Sequence, residues 1–86
     1  MKFKVYIIYS KSNDVFYKGI TEDLSKRLND HNCGKSTYTK GKEPWVLVFV
    51  RTFSSKGDGL RYEKMLKRQN RGYLEWLIKS DKNEIG

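Results

Sequence analysis

Eighty-six residues, 33% of them charged, 37% hydrophobic and 14% aromatic, suffice for one small folded domain and exclude both a multidomain chain and a disordered one. Eighteen Lys and Arg against ten Asp and Glu leave a formal net charge of +8 at pH 7, a balance that points to polyanionic partners, nucleic acid first. With Cys33 and His31 the sole residues of their types, an intrachain disulfide and a cysteine-rich zinc site are excluded.

The first apolar run is short and interrupted by lysine, unlike a signal peptide or a membrane span, so a cytoplasmic protein is expected. No repeat, low-complexity tract or Pro- and Ser-rich linker divides the chain. One domain over 1–80 and a polar, fraying tail over 81–86 are expected. Residues 3–10 and 15–21 are rich in β-branched and aromatic types and flank the polar break Lys11, Ser12, Asn13, Asp14, the pattern of an antiparallel hairpin. Alternation sets Phe3, Val5, Ile7 and Tyr9 on one face of the first strand and Lys4, Tyr6, Ile8 and Ser10 on the other. An even number of loop residues brings Tyr6 and Tyr17 to a common face, opposite the set Phe3, Val5, Phe16.

After Thr21, Leu24 and Leu28 stand at i,i+4 and mark a helix, with Thr21 or Asp23 as N-cap and Asn32 and Gly34 at its end. Arg27 and His31 share a face of it. The stretch 33–43 is small, polar and basic and reads as an exposed loop. Pro44 introduces WVLVFVRTF, expected as a third strand covered on both faces. A second helix is expected over about 59–70 with Asp58 as cap, followed by an amphipathic segment, Tyr73, Leu74, Trp76, Leu77, Ile78, that packs back on the sheet or the preceding helix. The expected class is α+β, a small three-stranded antiparallel sheet flanked by helices in the order ββαβαα. On the second helix Glu63 falls inside the apolar arc of Leu60, Tyr62 and Leu66. Two readings stand beside each other, an i,i+4 ion pair with Lys67, with Asn70 on the same side, and a ligand for a hard divalent cation.

The strand Val5, Tyr6, Ile7, Ile8, then FYKGIT, then RLNDHN, the basic loop with YTK, the strand after Pro44 and the helical Glu63, in that order, resemble the GIY-YIG endonuclease superfamily, in particular its small stand-alone branch. The resemblance implies a metal-dependent DNA endonuclease that nicks or cleaves phosphodiester bonds, in repair or recombination, with one Mg²⁺ or Mn²⁺ ion. Tyr6 is similar to the tyrosine of the first half-motif, with Lys4 where glycine is usual. Tyr17 and Gly19 match the second half-motif, with Lys18 in place of an apolar residue. Arg27 matches the helix arginine, His31 the polar ring one turn later, and Glu63 the metal-binding glutamate. Tyr38 falls where this branch carries Tyr-Thr.

The catalytic set implied is therefore Tyr6, Tyr17, Arg27, His31 and Glu63, with Lys18, Lys35, Tyr38, Lys40, Lys42, Lys67, Arg68 and Arg71 as nucleic-acid contacts. Hydrolysis of a phosphodiester needs a deprotonated nucleophile, neutralised phosphoryl oxygens and a stabilised leaving oxygen. Glu63 would hold the ion, Arg27 would grip the phosphate with its planar fork, and Tyr17 is the candidate base. A phenol, with an ordinary pKa of about 10, needs cations beside it to act as a base at neutral pH. Tyr6 or His31 would orient the nucleophile or share its proton. A chain this small would take its DNA specificity from DNA shape, a partner protein or a homodimer. The alternatives are a catalytically weak nucleic-acid-binding module of the same fold and a protein-interaction domain.

Overall fold

The period-2 alternation of the first two segments is realised as a hairpin whose turn, residues 11–14, has an even number of residues. In the computed structural model, which describes residues 2–85, β1 (Phe3–Ser10) and β2 (Val15–Thr21) pair with Tyr6 opposite Gly19 and Ile8 opposite Tyr17. Met1 and Gly86, at the outer ends of the expected domain and tail, lie outside the described residues. At the turn Asp14 takes a left-handed φ of 55°, and its carboxylate accepts from Tyr9 Oη and from Arg71 Nη2, both at 2.6 Å. The chain continues through α1 (Leu24–Asn32), β3 (Trp45–Phe53), α2 (Lys56–Leu66) and α3 (Arg71–Ile78). The sheet is antiparallel with strand order β2-β1-β3, an α+β fold in the expected order ββαβαα.

Central β1 divides two apolar layers. Val5, Ile7 and Phe49 pack with Leu66 of α2 and Leu74 and Leu77 of α3, while Tyr6, Ile8 and Trp45 pack with Leu24 and Leu28 of α1. The strand covered on both faces is thus β1, whose Val5, Tyr6, Ile7 and Ile8 are each at most 1% exposed. β3, expected in that role, lies at the sheet edge and leaves Val46 54% exposed. Its unbroken apolar run has another cause. The register with β1 slips between Ile7 and Ile8, so that Ile7 faces Phe49 but Ile8 faces Leu47. That irregularity puts Phe49 on one layer and Leu47 and Trp45 on the other, although all three share odd numbering.

Asp23 caps α1 by accepting from Lys26 N at 3.1 Å. α2 starts at Lys56, earlier than expected, because the cap is Ser55, whose hydroxyl accepts from Asp58 N at 3.2 Å. Asp58 itself sits in the first turn, where its charge suits the helix dipole. Asn70, expected inside α2, instead caps α3 by accepting from Tyr73 N at 2.9 Å. Gly59 lets α2 approach β2, since a Cβ there would stand 2.7 Å from Ile20 Cδ1.

The tail, expected to fray, is fastened along the free edge of β3. Asn83 accepts from Val50 N at 3.2 Å and donates to Val48 O at 2.8 Å, and Glu84 N donates to Val50 O at 2.9 Å. The Glu84 carboxylate accepts from both Thr52 N and Thr52 Oγ1 at 2.6 Å. Polar side chains thereby satisfy edge groups that would otherwise invite another strand. Among the described residues no helix is long and apolar enough to cross a membrane.

Candidate active site

The hairpin register carries both half-motif tyrosines to the α1 side of the sheet, and Gly19, opposite Tyr6 on β2, makes the room. A Cβ at Gly19 would stand 2.5 Å from the Tyr6 hydroxyl and 2.6 Å from its Cζ, so the Tyr6 ring lies across the bare backbone of β2. Tyr6 is 1% exposed, and burial, the dominant cause, pushes its phenol up to about 12. Arg27 of α1 opposes that shift, and the nearby charges of Tyr17 and Glu63 add to it.

Arg27 interacts with both phenols. Burial by itself would lower its guanidinium, but its interactions with Tyr6 and then Tyr17 outweigh this and raise it further. One helical turn on, His31 is fully buried, its ring edge-on to Tyr17 with centroids 5.1 Å apart. Its Nε2 lies 2.9 Å from Tyr6 Oη and its Nδ1 lies 2.8 Å from Thr39 Oγ1. Desolvation first, and then the Arg27 charge, depress its pKa, so the imidazole is neutral at neutral pH.

Glu63 reaches this cluster electrostatically from α2, the helix on the other layer, since its charge contributes to raising the Tyr6 phenol. Its side chain is 15% exposed and its Oε2 lies 3.5 Å from Lys67 Nζ, so the i,i+4 pair read from the sequence is present. Among the described residues no three His, Cys, Asp or Glu side chains form a metal cage. A single carboxylate released from its lysine would nevertheless fit Mg²⁺, which keeps most of its waters and takes further ligands from substrate phosphates.

Tyr17 opens onto a groove of about 390 Å³ that it lines with Phe16, Lys18, Tyr38 and Lys67. An adjoining groove of about 350 Å³ adds Val15, Lys42 and Trp45. Tyr38 is 77% exposed with its ring centroid 5.9 Å from that of Tyr17. Burial, and secondarily the Lys67 charge, depress the Lys18 ammonium. The other basic candidates are placed less uniformly. Lys35 lies 4.0 Å from the Asp30 carboxylate, and Lys40 and Arg68 are exposed. Arg71 is not brought to this groove. It pairs with Asp14 at 2.6 Å and Glu75 at 3.2 Å and lies over the Phe16 ring, facing a separate cavity with Tyr9, Val48 and Ile78.

Thr39 is the residue that sequence reading passes over. It sits in a loop read as exposed, yet it is fully buried between His31 and Trp45, whose Nε1 donates to Thr39 O at 3.1 Å. Asn32 closes the same corner, accepting from Trp45 N at 2.6 Å and donating to Trp45 O at 3.2 Å. The Tyr-Thr pair in the loop was the one available signal, and it directs attention to Tyr38 instead.

This chain is similar to a UPF0213 protein of Streptococcus agalactiae, 38% identical over 74 residues that cover 85% of this chain and 84% of the relative. It is 37% identical to the UPF0213 protein YazA of Bacillus subtilis over 79 residues, 91% of this chain and 79% of that one. The solution NMR structure of the UPF0213 protein BH0048 from Bacillus halodurans superposes with a TM-score of 0.62 at 34% identity, covering 95% of this chain and 87% of that one. The family model of the GIY-YIG catalytic domain matches residues 2–83. With a family model over nearly the whole chain and a relative of the same fold at 34% identity, the chain belongs to the GIY-YIG family and has its nuclease-type domain.

Proposed function

We propose that this protein is a metal-dependent DNA endonuclease in which Tyr6, Tyr17, Arg27, His31 and Glu63 form one phosphodiester-hydrolysing centre. The observation that carries the reading is Arg27, a permanent cation that interacts with phenols from two adjacent strands, one of which also feels the Glu63 carboxylate. Packing alone does not call for a guanidinium at that point, whereas a developing phosphoryl anion does.

Tyr17 faces the groove and takes the proton of the attacking water, while Arg27 binds a non-bridging phosphate oxygen. Tyr6 is buried and keeps its proton, so it orients the cluster by hydrogen bonding. Lys18, Lys42 and Lys67 line the two grooves and hold flanking phosphates. Glu63 would hold a Mg²⁺ or Mn²⁺ ion, which when bound supplies Lewis-acid stabilisation at the phosphate and the leaving oxygen.

The second reading, a module that binds nucleic acid without cleaving it, draws on the Glu63–Lys67 ion pair, which satisfies the carboxylate without a metal ion. Nicking of supercoiled plasmid separates the two. The nuclease reading expects nicking with Mg²⁺ or Mn²⁺, none in EDTA, and a loss of about 100-fold or more in Glu63→Gln and in Tyr17→Phe. Nicking that persists in EDTA or in Glu63→Gln contradicts the metal role. Salt-sensitive DNA binding with no cleavage of duplex, branched or single-stranded DNA favours the binding module.

A further inference from the structure

The buried line Thr39–His31–Tyr6 bears on how the centre is set, and its role in turnover rests on the nuclease reading above. Tyr6 is buried, and its O–H left without an acceptor there would carry its full desolvation cost. Among the described residues the one hydrogen-bond partner of that O–H is His31 Nε2 at 2.9 Å, which must then be an unprotonated acceptor. A neutral imidazole with a bare Nε2 carries its proton on Nδ1, and that atom lies 2.8 Å from Thr39 Oγ1. Thr39 is itself held from behind, its carbonyl accepting from Trp45 Nε1 at 3.1 Å and from Lys42 N at 3.2 Å. The loop is thus anchored at the residue that meets the imidazole.

We propose that Thr39 is a positioning residue: its hydroxyl oxygen accepts from Nδ1–H of His31 and fixes the tautomer whose Nε2 receives the Tyr6 hydroxyl proton. Thr39 touches no substrate in this scheme. It acts by keeping the Tyr6 O–H turned toward the interior, which leaves the outward side of that oxygen free for Arg27. In the opposite tautomer, Nε2–H would donate to Tyr6, and the phenolic proton would be left to compete with the guanidinium. The effect resembles that of the group behind the histidine in a catalytic triad, where a wrong tautomer alone costs orders of magnitude in rate.

His31 is the chain's only histidine, so a long-range ¹H–¹⁵N correlation spectrum of the labelled protein reports one pair of ring nitrogens. The expected wild-type spectrum, in mildly alkaline buffer without DNA or metal, has a protonated Nδ1 and an unprotonated Nε2. Thr39→Val keeps the shape and removes the acceptor, and should shift population toward the Nε2–H form. Thr39→Ser restores the hydroxyl and should restore the wild-type pattern. Plasmid nicking should fall about tenfold or more in Thr39→Val and recover in Thr39→Ser. A wild-type spectrum with Nε2 protonated overturns the proposal, and so does a folded Thr39→Val protein with an unchanged pattern. Should Thr39→Val fail to fold, the wild-type and Thr39→Ser spectra decide. Because the spectra are read on the resting protein, a wild type that cuts no DNA would count against the nuclease reading and leave the tautomer assignment to its own result.

Discussion

Gly19 and Tyr6 show how little separates a packed tyrosine from a placed one. The phenol occupies the space a β2 side chain would fill, and only a residue without Cβ leaves that space open. Gly19→Ala should therefore push the Tyr6 ring off His31, destabilise the fold by about 1–3 kcal/mol and reduce nicking together with stability. Urea unfolding and the nicking assay on the same preparation check both parts. Arg27→Lys separates charge from fork geometry: it should keep the fold and lose about tenfold or more in rate, since an ammonium cannot span the two phenols and a phosphate oxygen. At this scale the common face of Tyr6 and Tyr17 was legible from the strand period and an even turn, whereas the roles proposed for them, for Arg27 and for Glu63 come from the resemblance to the family. Thr39 was not legible, because a loop has no period, and its burial depends on Trp45 arriving from a strand six residues later.

Among the elements, helix starts and the β3 edge carry the stability that short segments lack on their own. Ser55→Ala should cost about 1 kcal/mol by removing the α2 cap, whereas the Asp58 carboxylate, once expected to be that cap, contributes only through the dipole and an exposed pair with Arg61. Thermal unfolding of Ser55→Ala and Asp58→Asn ranks the two. Asn83→Ala should cost about 1–3 kcal/mol, since it leaves Val50 N without its partner and withdraws a donor from Val48 O. The same variant should self-associate more readily along β3, which light scattering would detect. Strand and helix order could be read from hydrophobic periodicity alone. The slip in β3 could not, because one extra residue changes which face Trp45 occupies while leaving the composition of the run unchanged. Ser55 was missed because the sequence reading placed the cap at Asp58, whereas α2 begins at Lys56 and Asp58 lies within its first turn.

For the whole molecule, pH and salt act on distinct groups. His31 is held below its ordinary value of 6.5, so between that value and its lower folded one the unfolded chain binds a proton that the native state does not. Stability is then full above about pH 6.5, falls as the pH drops toward the folded value, and levels off beneath it. His31→Gln should flatten this near-neutral limb in urea titrations. Asp14, lowered chiefly by Arg71, and Glu84, whose bonds to Thr52 outweigh its burial, lose their contributions in a separate, more acidic range below their ordinary 3.8 and 4.5. Lys18→Ala or Lys42→Ala should each lessen the slope of log DNA affinity against log salt by about 1, whereas Arg71→Ala, already committed to Asp14 and Glu75, should leave it unchanged. The measurement that tests the central claim most directly is single-turnover cleavage of a labelled DNA with Mg²⁺ by wild type, Tyr17→Phe, Glu63→Gln and the double variant. If the residues form one centre, each single variant loses about 100-fold or more and the double loses little beyond that. Single variants that cleave like wild type, or losses that multiply independently in the double, would contradict it.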